Sequence, residues 1–238
     1  MDERYSAQTA LGQIGPEGQK KLAAASVVVV GAGGLGSPAL TYLVAAGVGR
    51  VGLIDPDVVS PSNLNRQFLY CESDIGRPKA AAAKERLTAL NSEVDIVAHQ
   101  ESLSAENAEA LLAGYGLVVG AVDSYDTRLV INKAAASLGL PYIDGGVNGF
   151  NGYVAFSHPP ETPCLNCVFI NRGADKSSPG VLGTTAGVIG ALEANLALLW
   201  LLGHDNPIRN KLLLYDGARM KTDLAGVSRD KNCPVCGS

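Results

Sequence analysis

Ser26-Val-Val-Val-Val-Gly-Ala-Gly-Gly-Leu-Gly36 is a β-branched run that ends in a glycine-rich turn and opens an apolar stretch reaching about residue 46. Four consecutive valines suit a strand buried on both faces of a parallel sheet. Gly31, Gly33 and Gly36 then satisfy G-x-G-x-x-G directly after that strand. The spacing serves a tight turn, a close backbone approach to phosphate and close helix–strand packing. The helix that follows offers unpaired N–H groups and a positive dipole end to an anion. About 20 residues further on, Asp55 closes a second predicted strand over 51–55, where a carboxylate can accept from ribose hydroxyls. Alone, the fingerprint indicates an adenine nucleotide and leaves a dinucleotide such as NAD open.

Outward from this turn the rhythm persists. Helices are expected over 79–90, 105–113 and 126–138, and strands over 94–98, 117–122 and 141–144. Alternating strands and helices imply right-handed βαβ units and a Rossmann-like, doubly wound, mostly parallel sheet. After Gly145 the alternation stops. Strands over 153–157, 211–215 and 219–223 flank a long apolar helix and read as antiparallel extensions of the same α/β sheet. A single unit over 1–238 is expected, with a helical segment over 1–25, a nucleotide half over 26–145 and a second half over 146–238.

Composition narrows the class. The 238 residues are 47% hydrophobic and 18% charged, which suits a packed globule and not a disordered chain. The net charge of −4, with no run of Lys or Arg, argues against a nucleic-acid platform. The most apolar stretch, 183–202, carries Glu193 and Asn195 near its middle, so a core helix is expected and not a membrane span. The N-terminus shows no basic-then-apolar signal, and a cytoplasmic protein is expected.

Downstream of Asp55 come basic groups for which a hydride-transfer site has no obvious use. Asn63 and Arg66 stand in Ser62-Asn-Leu-Asn-Arg-Gln67, and Lys79 in Arg77-Pro-Lys79. A triphosphate needs such cations, because charge builds on phosphate oxygens during in-line displacement. Asp123 follows the fourth predicted strand, at the edge where open α/β sheets bind ligands, and suits Mg²⁺. The bland readings are a surface pair for Arg66, a solvated Lys79 and a helix-capping Asp123.

Five cysteines occur: Cys71, Cys164, Cys167, Cys233 and Cys236. Two C-x-x-C pairs present four thiolates, the set of a Cys₄ zinc site that would tie the C-terminal stretch to the body. Disulfides have little use in a cytosolic protein, and the context is not that of a thioredoxin-like dithiol. Cys71 is expected as a partly buried thiol beside Phe68 and Leu69.

These segments together, GAGGLGSPAL, LIDPD, SNLNRQ, DIGRPK, VDSYDTR and the paired C-x-x-C motifs, closely resemble the ThiF/MoeB/HesA family, bacterial relatives of the ubiquitin-activating enzymes. The resemblance runs over nearly the whole chain. It implies MgATP-dependent adenylation of the C-terminal Gly-Gly of a ubiquitin-like sulfur-carrier protein, with release of pyrophosphate. Sulfur from a sulfurtransferase would then displace AMP, for thiamine, molybdopterin or related biosynthesis. By motif it implies that Gly31, Gly33 and Gly34 line the nucleotide and that Asp55 binds the ribose. Asn63, Arg66, Gln67 and Lys79 would meet the triphosphate, and Asp123 the magnesium. It implies a homodimer as well. Two departures stand out. The family pattern R-Y-x-R-Q reads Arg4-Tyr5-Ser6-Ala7-Gln8 here, without the second arginine, which reaches a neighbouring subunit's ATP. The crossover stretch over 175–181 lacks the cysteine that many relatives carry. An NAD-dependent oxidoreductase and a non-catalytic carrier-binding scaffold are the competing expectations.

Overall fold

Four valines with almost no exposure sit at the centre of the protein, and they alternate between two cores. The computed structural model describes residues 3–169 and 180–237. Short helices α1 (Ser6–Thr9) and α2 (Gly15–Ala24) precede strand β1 (Ser26–Val30). Helix α3 (Gly36–Ala45), β2 (Arg50–Ile54), α4 (Lys79–Leu90), β3 (Asp95–His99), α5 (Ala108–Leu112), β4 (Leu117–Gly120) and α6 (Tyr125–Ser137) complete the alternating part. Then come β5 (Tyr142–Asn148), β6 (Asn151–Ser157), α7 (Leu165–Val168), α8 (Gly183–Leu202), β7 (Lys211–Asp216) and β8 (Lys221–Gly226).

One eight-stranded sheet runs β3-β2-β1-β4-β5-β6-β7-β8. The first five strands are parallel and the last three antiparallel, as the change of rhythm after Gly145 predicts. Val27 and Val29 pack with α2, α3, α4 and α8, while Val28 and Val30 pack with α5 and α6. This period-2 alternation of apolar residues onto both faces is what a doubly covered sheet requires. Burying each valine contributes about 1.5–3 kcal/mol.

Helix α8 has the length and apolarity of a membrane span, yet half of it is buried against α3, β5 and β6. Glu193, at its centre, has no exposed surface. It is a core helix, as expected.

Most element boundaries differ from the sequence reading by one or more residues, among them the strand expected over 117–122, which ends at Gly120, and three of the shifts have a visible cause. The helix expected from residue 105 starts at Ala108, because the Asn107 side chain accepts from Ser104 N–H at 2.7 Å and holds the preceding turn open. The strand expected over 141–144 runs on to Asn148, because β6 pairs with it through Asn148↔Asn151. The strand expected from residue 219 starts at Lys221. Met220 takes φ 51° there, and Arg219 closes the hairpin on Asp216 at 2.9 Å.

Candidate functional site

Sheet order reverses between β1 and β4, so the connections leaving these two strands diverge to opposite faces and open a crevice at their C-terminal ends. The glycine turn lies there. Gly31 has φ +95°, and a Cβ on it would sit 2.5 Å from the Ala121 carbonyl oxygen at the end of β4. A Cβ on Gly36 would collide with the Gly31 carbonyl, so α3 can start this close only without one. Around Gly33 and Gly34 the neighbours are side chains: Gln67 beside the first, Arg66 and Ala186 beside the second. Tyr70, unremarked in the sequence, locks the turn by donating from its hydroxyl to Ala32 O at 2.8 Å.

Asp55 follows β2 and is 4% exposed. Its carboxylate accepts from Ala32 N–H at 2.7 Å and Asp57 N–H at 2.9 Å, one bond on each oxygen. Burial raises its pKa, and these N–H groups and the charge of Lys79 oppose the rise. Each oxygen keeps a second lone pair, so a hydroxyl can still be received.

Arg66 donates to Ser62 O at 2.8 Å and Asn65 Oδ1 at 3.0 Å, and among the described residues it has no carboxylate partner. The surface ion pair weighed for it is absent. Asn63 spends its side-chain oxygen on Ser60 N–H at 3.0 Å, shaping the turn that carries Arg66. Gln67 is buried, and its Oε1 has no hydrogen-bond partner among the described residues. Lys79 is not the solvated lysine that was weighed: at 5% exposure it donates to Asp57 Oδ2 at 2.8 Å. Asp57 is a site neighbour that the sequence reading missed.

Asp123 is exposed beyond β4 and makes no hydrogen bond or ion pair among the described residues. It caps nothing. Ser124 is the N-cap of α6, accepting from Thr127 N–H at 3.3 Å. Arg128 on α6 is buried against Asp144 at 2.8 Å, Gly145 O at 2.6 Å and Tyr153 OH at 2.9 Å, and it donates to Val122 O. The segment bearing Asp123 is thus anchored to β5. Asp144 also accepts from the Tyr142 and Tyr153 hydroxyls, a network that distance along the chain concealed.

The four paired cysteines converge. Their sulfurs lie within 4.8 Å of one another and are buried, with no disulfide. Cys164–Cys233 and Cys167–Cys236 are 3.5 Å apart and Cys164–Cys167 4.0 Å. A tetrahedral zinc with Zn–S near 2.3 Å requires edges of about 3.8 Å, so the donor set fits that ion. Burial pushes the Cys164 thiol up and that of Cys167 up to about 11. Cys233 meets the same burial, but N–H groups of Val235 and Cys236 outweigh it and hold this thiol below its ordinary value. Cys71 is exposed and not partly buried as expected. It precedes a tight turn, with its sulfur 3.2 Å from Asp74 Oδ2 and 3.5 Å from Arg86. Of the crossover stretch without a cysteine, residues 175–179 lie outside the described residues.

Comparison with known proteins gives concordant results. The profile of the ThiF family matches residues 5–235. The chain is 46% identical to the sulfur carrier protein adenylyltransferase of Thermus thermophilus, over 99% of this chain and 90% of that protein. It is 37% identical to the SAMP-activating enzyme E1 of Haloferax volcanii, over 99% of this chain and 88% of that protein. Among solved structures, E. coli MccB with ATP superposes with a TM-score of 0.88, over 100% of this chain and 74% of that one. The identity there is 24%, and the likeness is one of fold.

Proposed function

The chain belongs to the ThiF family, and from that premise we propose that it is an ATP-dependent adenylyltransferase acting on a ubiquitin-like sulfur-carrier protein that ends in Gly-Gly. One observation carries the reading: beside a phosphate-type glycine turn, Arg66 has no counter-ion and Asp123 no partner among the described residues. Partnerless charges at a ligand edge await charges from a ligand, here phosphate oxygens and Mg²⁺.

In this reading Asp55 receives the ribose hydroxyls, and Gly31, Gly33 and Gly34 let the phosphates approach the backbone. Asn63 sets the turn that presents Arg66, and Gln67 backs Gly33. A carrier carboxylate oxygen attacks the α-phosphorus, the bond to the bridging oxygen breaks, and pyrophosphate leaves with that electron pair. Arg66 and Lys79 stabilise the charge that develops on those oxygens. The product is an acyl adenylate, from which sulfur delivered by a sulfurtransferase displaces AMP. Asp123 holds magnesium. Cys164, Cys167, Cys233 and Cys236 hold a zinc ion whose contribution is structural, tying the C-terminal stretch to the segment that follows β6. The enzyme works as a homodimer in the cytoplasm.

The test is ATP–pyrophosphate exchange with a Gly-Gly-ending carrier. Exchange that requires the carrier supports the reading. No exchange, with NADH bound tightly in a fluorescence titration, would transfer the chain to the oxidoreductase class.

A further inference from the structure

We infer that Asp57 is a positioning residue for the nucleotide's outer phosphates, acting through Lys79. The inference rests on the adenylyltransferase reading above. Lys79 is the first residue of α4, and its backbone is fastened to the segment after β2 by a short ribbon. Val58 bridges Pro78, Val59 N–H donates to Arg77 O at 2.9 Å, and Lys79 N–H donates to Asp57 O at 2.9 Å. Asp57 in turn is tied to the glycine turn, since its N–H donates to Asp55 and Asp55 accepts from Ala32. A single hydrogen-bonded chain therefore joins Ala32, Asp55, Asp57 and Lys79.

The side chains of this pair are unequal. That of Lys79 is 6% exposed and that of Asp57 is 64% exposed, at 2.8 Å. An ammonium group withdrawn this far from water needs a counter-ion. Asp57 supplies it from the solvent side. Of its three donors, Lys79 spends one on Asp57 and keeps two. Asp57 thus fixes a flexible four-carbon side chain before the ligand arrives, which is the preorganisation that electrostatic catalysis requires.

The second service is separation. Asp55 lies near enough for the charge of Lys79 to influence its ionisation. Without the charge of Asp57, Asp55 is the adjacent carboxylate to which Lys79 turns. Asp57 keeps the lysine on the phosphate side and leaves Asp55 for the ribose.

Asp57→Asn preserves shape and the backbone links while removing the charge. AMP lacks the outer phosphates, so its binding reports the ribose and base sites alone. Expected for Asp57→Asn is ATP affinity reduced by about tenfold, the scale of one lost charge-assisted contact, with AMP affinity within about twofold of wild type on the same scale. Asp57→Glu, which restores the charge, should recover part of the ATP affinity. Equal losses for ATP and AMP would reduce Asp57 to a general structural role, and no loss for either would remove it from the site. Both outcomes overturn the proposal while leaving the nucleotide reading intact. Wild-type protein that binds neither nucleotide overturns the nucleotide reading, and the proposal with it.

Discussion

At the sheet edge that carries the glycine turn, Arg66 and Asp123 have no oppositely charged partner among the described residues, whereas in the cysteine knuckle every sulfur lies against another. The edge is open, mixed in charge and built from three connections, those that follow β1, β2 and β4. The knuckle is closed, buried and chemically uniform. Ligands that come and go need groups left unmet, whereas a resident ion needs all its ligands turned inward. The Arg128–Asp144 network belongs with the knuckle in character: 6% and 1% exposed, its members bond to one another and leave nothing for a ligand. Substitutions at the edge should therefore cost rate without stability, and substitutions at the knuckle stability without nucleotide affinity.

The largest effect is expected at Asp123. Asp123→Ala should lower carrier-dependent pyrophosphate exchange by about 100-fold or more, the usual scale for losing a charge-stabilising group. Its melting temperature should stay within about 1 °C of wild type, because an exposed side chain without bonds adds little stability. Near-wild-type exchange would break the comparison from the open side.

Cys233→Ser probes the closed side. Purified wild-type protein should contain one zinc per chain by elemental analysis. The variant should lose it along with several kcal/mol of stability, since metal binding and folding are coupled in such sites. ATP affinity should change by less than about threefold, under 1 kcal/mol. Wild-type protein free of zinc, with readily titrated thiols, would contradict the assignment.

A smaller effect is expected at Glu193, which follows neither rule. It is fully buried under Gly145, where a Cβ would come within 2.5 Å of its carboxyl, and among the described residues its oxygens meet no donor beyond the nearby Gly145 N–H, which is not well aligned for a hydrogen bond. Burial raises its pKa well above 4.5, the charge of Asp144 adds to this, and Arg128 opposes it. An acid with a raised folded pKa contributes its full stability below the unfolded value, and that stability is lost as pH climbs towards the folded one. Glu193→Gln should match wild type near pH 4 and exceed it at pH 8 by about 1 kcal/mol or more, or roughly 2–4 °C in melting temperature. A stability difference that does not change with pH would show that this carboxyl does not titrate differently on folding.

What could be read from the sequence was whatever is local. The valine run and the glycine spacing that ends it specify strand, turn and helix within eleven residues, and Asp55 follows at the distance that one βαβ step sets. The cysteines were legible as well, because a C-x-x-C knuckle is a short-range signal and two of them complete a ligand set. Pairings between residues distant in sequence were not legible. Asp57 meets Lys79 across 22 positions and Arg128 meets Asp144 across 16, and a carboxylate in a sequence does not name its cation. The exposure of Cys71 was misread for the same reason. Phe68 beside it is itself 57% exposed, so apolar neighbours in sequence gave it no cover.

The smallest effect tests the N-terminal segment. Tyr5 is buried, receiving Asn91 Nδ2 at 2.9 Å and donating to Glu93 at 3.2 Å, while Gln8 donates to Ala46 O at 2.9 Å. Arg4 donates to Leu90 O at 2.9 Å, at the C-terminal end of α4, where a cation also meets the negative end of the helix dipole. The first turns are thus fixed to the body on the far end of α4 from Lys79. Ala7 is exposed on this anchored segment, so a longer side chain there would be presented outward from a rigid base. The family resemblance implies that position 7 faces the neighbouring site of a homodimer, and the exposure of Ala7 is compatible with that. Ala7→Arg should raise the exchange rate at saturating ATP by about 3- to 10-fold, well below the 10³-fold or more of the strongest arginine contributions to phosphoryl transfer. The gain should require dimer, and so should fade on dilution below the dimer's dissociation constant. Arg4→Ala should lower stability slightly and leave exchange unchanged, because its guanidinium is committed to Leu90. A large loss of exchange in Arg4→Ala would mean that this arginine, not position 7, reaches phosphate, and the anchoring seen at α4 would then be only one of two positions it occupies.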